Sequence, residues 1–334
     1  MTLRFRLSPV PAGRHSESDL GAVLLGPAVS APATGWPIQA VRAPLLGAPA
    51  PAFEETWQAA GPCVHGASEG IAWRRCGDIL FGVIDLDEAG FDAAAERPPL
   101  QAASEAAYHR IFRLLDAQNL PHLWRIWNYM ADINAETHGL ERYRQFNVGR
   151  QDAFIAHRRS AAGNAPAACA LGLAGGPLSI AFLAGATPAV SIENPRQVSA
   201  CDYPAEYGPR APIFSRGALV RPPGQEILFI SGTASIVGYR TVHPGDVAGQ
   251  CREALANVGS VVAEANRAAR SRPFALDELA CRVYVRHAAD FPAIRDALAP
   301  HLGAGGVLYV QADICRADLL LEIEAMASHP MEHD

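Results

Sequence analysis

The run Asp78-Ile-Leu-Phe-Gly-Val-Ile84 returns 148 positions later as Glu226-Ile-Leu-Phe-Ile-Ser231. Each reads as a strand from its run of apolar and β-branched residues. An amphipathic stretch follows each: Ser104 to Asn119, with Ala107, Ile111, Leu114 and Leu115 at helical spacing, and Val247 to Arg270, with Ala254, Leu255, Val258, Val261 and Val262. Next come strands at His122–Met130 and Ala280–Arg286, helices at Arg142–Arg159 and Phe291–His301, and a strand pair in each half (168–173 with 178–183; 307–315 with 319–325). Strand, helix, strand, helix, strand, strand is thus written twice. The order predicts an α+β protein of two like modules, 1–186 and 187–334, each a mixed sheet covered on one face by two helices. Residues 26–70 and 187–224, the latter with seven prolines, read as long ordered loops or arms.

All 28 basic side chains are arginine. Without lysine the chain has no Schiff-base amine, no anchor for pyridoxal phosphate and no phosphate-loop ammonium. Arginine is a planar permanent cation suited to carboxylates, although a GC-rich genome also accounts for its abundance. A net charge of −6 argues against a nucleic-acid partner. The most apolar stretch, 165–190, is broken by Gly172, Gly175, Gly176, Pro177, Gly185 and Pro188, so it reads as paired strands and not as a membrane span. No leader is apparent, and seven cysteines without CxxC spacing point to a reducing cytoplasm in preference to a disulfide framework.

The sequence lacks GxSxG, HExxH, GxGxxG and phosphate-loop motifs. Cys63, His65 and Cys76 are too sparse for a zinc site, and no metal is expected. Polar residues concentrate in three places. Glu141-Arg-Tyr-Arg-Gln-Phe-Asn-Val-Gly-Arg150 opens a helix and reads either as a carboxylate clamp or as a solvated face. Tyr203, Tyr207, Arg210 and Arg216 interleave with prolines in a stiff arm or connector. Ser231-Gly-Thr-Ala-Ser235, Cys315-Arg316 and Glu322 end or occupy strands of the second half. Glu322 and Glu324 share one face of their strand, where a carboxyl in a half-apolar pocket would become a general acid.

These segments carry a resemblance. The second half, with SGTASIVG, Gln250 and Asn257 on the next helix, CRVYVR and LLLEIEAMA, resembles the RidA (YjgF-like, chorismate-mutase-like) fold. RIWNYMADIN, ERYRQFNVGR, ACDYPAEYGPRAPIFSRGAL, LFISGTASIVG, TVHPGDV and YVQADICRADLLLEIEA together resemble the chorismatase family, over about residues 75–330. The resemblance implies cofactor-free cleavage of chorismate with release of pyruvate. It makes Glu322 the acid that protonates the enol-ether methylene. Tyr143, Arg150, Tyr203, Arg210, Gly232, Thr233 and Ala234 fall at substrate-binding positions, with Arg142, Arg196 and Arg216 as competing arginines. Cys315 matches the cysteine of the aromatising members, which implies 3-hydroxybenzoate with some 4-hydroxybenzoate as product. For both groups to reach one pocket, a tight turn at Arg316-Ala-Asp318 must reverse the chain. The alternatives are the hydrolytic chorismatase, yielding a dihydroxycyclohexadiene carboxylate, a RidA-like imine hydrolase, and a non-catalytic binding protein. The imine hydrolase needs an arginine where this chain has Gly305-Gly-Val-Leu-Tyr309. A duplicated chain of this kind is expected to be a monomer or a homotrimer.

Overall fold

The computed structural model describes residues 2–10, 15–31, 35–91, 97–159, 165–303 and 306–331; Gly305 lies outside them. The first strands are β1 (Leu3–Pro9), β2 (Asp19–Gly26), β3 (Ile38–Arg42) and β4 (Phe53–Ala59). The first module follows as β5 (Val64–Ser68), β6 (Ile71–Cys76), β7 (Ile79–Leu86), α1 (Pro99–Ala117), β8 (His122–Ala131), the hairpin β9 (Glu136–Thr137) and β10 (Leu140–Glu141), α2 (Arg142–Ala156), β11 (Ala167–Leu173) and β12 (Leu178–Gly185). The second comprises β13 (Val190–Ile192), β14 (Gly217–Val220), β15 (Gln225–Thr233), the hairpin β16 (Ile236–Val237) and β17 (Arg240–Thr241), α3 (Val247–Ala268), β18 (Ala280–Val285), α4 (Phe291–Leu298), β19 (Val307–Gln311), β20 (Asp313–Ile314) and β21 (Leu321–Pro330).

The expected repeat is present in the hydrogen bonding as well as in the order. One sheet runs β5-β6-β7-β12-β8-β11, with β20 of the second half added antiparallel beyond β11, and the other β13-β14-β15-β21-β18-β19; within each six, pairing is antiparallel except for the last pair, which is parallel in both. The last four strands of that order occur a third time. Sheet β1-β4-β2-β3 places its strands in the same order, again with only the last pair parallel, and has no helix among its described residues. Residues 26–70 therefore carry three strands, β3, β4 and β5, in place of one long loop. β4 escapes the hydrophobic pattern because its Glu54, Glu55 and Thr56 are buried with polar partners: Glu54 meets His15 and accepts from Thr56, and Glu55 pairs with Arg282.

The three sheets face one core containing Leu25, Trp57, Phe81, Trp127, Phe229 and Val310, whereas α1 with α2 and α3 with α4 cover the outer faces of their sheets over separate apolar clusters. Gly149 lets α2 approach α1, since a Cβ there would lie 2.1 Å from the Gln101 carbonyl oxygen. Charge is also buried between the sheets. Glu324 of β21 accepts from Arg125 of β8 at 2.5 Å and pairs with Arg282 of β18 at 3.1 Å, and Arg282 also pairs with Glu55 of β4. Each of these four charges has an opposite partner, as desolvated charge requires.

The cysteine expectation needs correction. Cys63 and Cys76 form a disulfide, because the β5–β6 register sets them opposite each other with Cα atoms 4.4 Å apart. Cys169, Cys201, Cys251, Cys281 and Cys315 are free thiols. Among the described residues no helix is long and apolar enough to cross a membrane.

Candidate active site

The two modules are stitched where β20, from the second half of the chain, pairs with β11 of the first (Leu171 with Ile314). On the same seam the Ser231 hydroxyl donates to the Ser215 carbonyl and accepts from the Ala168 N–H. Beside it opens a cavity of about 270 Å³ walled by α2, the 197–216 arm, the end of β15 and the 315–322 segment. Its lining includes Tyr143, Tyr203, Arg216, Gly232, Ala234, Cys315, Arg316 and Glu322. A recess of about 30 Å³ shares Tyr143, Cys315 and Glu322 with it and adds Arg150, Ala168 and Ala170. The turn at residues 316–319, closed by Leu319 N–H to Arg316 O, reverses the chain between Cys315 and Glu322 as the strand periodicity demands.

Glu322 sits at the inner end of the cavity, 4% exposed, and its Oε1 has no partner among the described residues. A bulge makes room for it. The β15–β21 register slips between Ile230 and Thr233, and at Gly232 a Cβ would lie 1.9 Å from Glu322 Oε1. Burial, reinforced by the neighbouring negative charge of Glu324 and opposed by Arg125, pushes the Glu322 carboxyl up to about 8, so it is protonated at neutral pH. Burial likewise pushes the Cys315 thiol up to about 12, with Glu322 adding to it, and lifts the Tyr143 phenol. Both are neutral donors and not anions. For Glu324, by contrast, Arg282 and Arg125 outweigh burial and hold the carboxyl below its ordinary value.

The arginines divide by their partners. Arg142, Arg196 and Arg210 are ion-paired with Glu88, Glu253 and Asp152, and Arg210, with its side chain 46% exposed, is outside the cavity lining. Arg150, Arg216 and Arg316 have no carboxylate partner among the described residues, and each keeps a buried guanidinium nitrogen unpaired. Arg216 donates to the Tyr203 hydroxyl at 2.9 Å, and Arg316 stacks 4.2 Å from the Tyr207 ring centroid. Thr233 is not in the lining; its hydroxyl donates to the Ser231 carbonyl and closes the bulge. Gln250 and Asn257 act on backbone: Gln250 bridges Asp318 O and Leu320 N, and Asn257 donates to Ala234 O and Ile236 O. Arg316 escaped the sequence reading as a carboxylate holder, although its place next to Cys315 was the available signal.

A second gap, of about 30 Å³ between the sheets, is lined by Glu55, Arg125, Arg282 and Glu324, all mutually paired, and so presents no free charge.

Fold and site together define an α+β protein of two like modules with a buried acid in the cleft between them. Residues 55–184 match the family model described as Chorismatase FkbO/Hyg5-like, N-terminal. A chorismatase of Streptomyces rapamycinicus is 41% identical, the match covering 83% of this chain and 82% of that one. A 3-hydroxybenzoate synthase of Streptomyces hygroscopicus is 37% identical, with 82% and 81% covered. The crystal structure of a chorismatase superposes with a TM-score of 0.88 at 35% identity over 98% of each chain. The chain belongs to the chorismatase family.

Proposed function

We propose that this protein cleaves chorismate to pyruvate and 3-hydroxybenzoate, with 4-hydroxybenzoate as a minor product. The observation that carries the reading is a buried Glu322, held protonated at neutral pH and with no partner for Oε1 among the described residues, in a cavity whose arginines Arg216 and Arg316, with Arg150 in the recess, form no ion pair with a described carboxylate. Chorismate is a dicarboxylate, and an arginine without a partner is ready to hold a carboxylate through two hydrogen bonds.

Glu322 gives its proton to the enolpyruvyl methylene, leaving an oxocarbenium ion at the ether carbon. The ring hydroxyl oxygen next to the ether then attacks the ether-bearing ring carbon. The C–O bond breaks, its electron pair forming the keto group of pyruvate. The hydroxyl proton returns to the Glu322 carboxylate, and an arene oxide remains. Opening of the epoxide and loss of a ring proton give hydroxybenzoate, so no water is gained or lost. Cys315 supports this outcome as a neutral S–H donor at the cavity wall, where it can protonate the opening epoxide oxygen and occupy space a water would need. The 3-hydroxybenzoate synthase among the relatives supports the same product.

Incubation with chorismate, with pyruvate quantified and ring products separated by chromatography, tests the reading. Pyruvate with equimolar aromatic acid is expected. Absence of pyruvate overturns the whole proposal, and a non-aromatic diol overturns the product alone. Cys315→Ala is expected to keep pyruvate release and lose most of the aromatic product.

A further inference from the structure

Arg286, one position past β18, lies outside the cavity lining yet makes more hydrogen bonds to the segment that carries Cys315 than any cavity side chain does. Its side chain is 9% exposed. Nε donates to Leu319 O at 2.7 Å, Nη2 to Ile314 O at 3.0 Å and Arg316 O at 2.8 Å, and Nη1 to the Asp313 carboxylate at 2.6 Å. The four acceptors bracket the turn between β20 and β21, and Cys315 and Arg316 lie inside it. A fifth acceptor, the Asn134 amide oxygen at 3.1 Å, belongs to the other module. Asn134 in turn donates to Glu141, the residue just before α2, while the Tyr143 N–H donates to Ile133 O. One guanidinium thus gathers the thiol, an unpaired arginine and the root of the helix that carries Tyr143.

The other module shows that the fold itself does not require this residue. Glu322 lies opposite Tyr284 in β18 as Ser179 lies opposite Tyr129 in β8, which makes Ala131 the counterpart of Arg286. A methyl group suffices there, where residues 174–177 alone join β11 to β12, against residues 312–320 between β19 and β21. Three backbone carbonyls converging on one buried cation form a rigid, directional clamp, because the planar fork fixes all its donors at once.

We propose that Arg286 is a positioning residue of the active site, which folds residues 313–319 around its guanidinium so that Cys315 and Arg316 face Glu322, and which locks that turn to the start of α2. The effect on product rests on the role of Cys315 given above; the placement of the turn does not.

The test compares Arg286→Met, which keeps the stem and removes every donor, with Arg286→Lys, which keeps the charge and some of the bonds. Alkylation of each thiol by iodoacetamide is followed by peptide mass, with Cys201 as internal reference, alongside kcat, KM and product split on chorismate. In Arg286→Met, Cys315 is expected to alkylate at least ~10-fold faster relative to Cys201, and kcat to fall on the order of 10²-fold with a smaller change in KM, the cost of a misplaced reacting group. Arg286→Lys should recover part of both. Unchanged Cys315 alkylation in folded Arg286→Met overturns the proposal; should that variant not fold, unchanged alkylation and kcat in Arg286→Lys overturn it instead. Faster alkylation of Cys315 in Arg286→Met, with Cys315→Ala still making full aromatic product, leaves the positioning role standing and removes the thiol from the chemistry.

Discussion

Two strands hold the same place in the two modules and have opposite chemistry. β12 reads Leu178-Ser-Ile-Ala and β21 reads Leu321-Glu-Ile-Glu, each in the middle of its sheet, with Ser179 facing Tyr129 and Glu322 facing Tyr284. Ser179 is met by Gln39 of β3, whose amide donates to its hydroxyl at 3.1 Å and fills the space. Glu322 instead looks onto Ala168 and Ala170 of β11, which leave a recess, with Tyr143 and Arg150 of α2 above it. The third sheet has no helix among its described residues and so offers nothing like α2 to Ser179. A cavity thus arises at one seam and not at the other because one facing wall is small and roofed by a helix.

The largest expected effect breaks the β21 side. Glu322→Gln should lower the rate of pyruvate release at least ~100-fold, the usual worth of a general acid. Gly232→Ala follows, since the added methyl must displace the carboxyl; kcat should fall on the order of 10²-fold even though Glu322 is intact. Arg216→Ala and Arg316→Ala should each weaken substrate binding about 10- to 100-fold, the worth of a charge-assisted hydrogen bond of ~1.5–3 kcal/mol, read in KM; Arg210→Ala should leave KM near wild type.

The pH response sharpens the contrast. An acid must be protonated to act, so kcat/KM should fall as pH rises through about 8. Glu324→Gln removes the negative charge that helps hold Glu322 up and leaves Arg125 to pull it down, so this limb should move to lower pH. Stability carries the same sign. The folded-state pKa of Glu322 is above its ordinary value of 4.5, so the folded protein binds the proton more tightly and its stability declines as pH rises from there to about 8. Glu322→Gln should remove that decline, with a gain in melting temperature larger at pH 8 than at pH 5. The smallest effect belongs to β12: Ser179→Ala should cost about 1 kcal/mol of stability, measured by denaturant unfolding, and leave turnover unchanged.

The repeat was legible because strand and helix periodicities survive wherever an element buries one apolar face, and both modules do so. The N-terminal sheet was not, since Glu54, Glu55 and Thr56 look like loop residues until their partners are known, and Arg282 is 227 positions from Glu55. In the site, Glu322, Cys315, Tyr143, Tyr203, Gly232 and Ala234 come together at the cavity and Arg150 at its recess, while Thr233 and Arg210 stand apart. Local motifs can mark a conspicuous arginine; whether it is free or already paired depends on residues distant in sequence.

The sequence by itself determined two α+β modules, the shared face of Glu322 and Glu324, and a chemistry that excludes the lysine amine. Only the tertiary structure decided which of those two carboxyls keeps its proton. Arg125 from the other module and Arg282 from the adjacent strand hold Glu324 charged, and Glu322 Oε1 has no partner among the described residues; protonation inside a protein follows from burial and charged neighbours, which folding alone brings together.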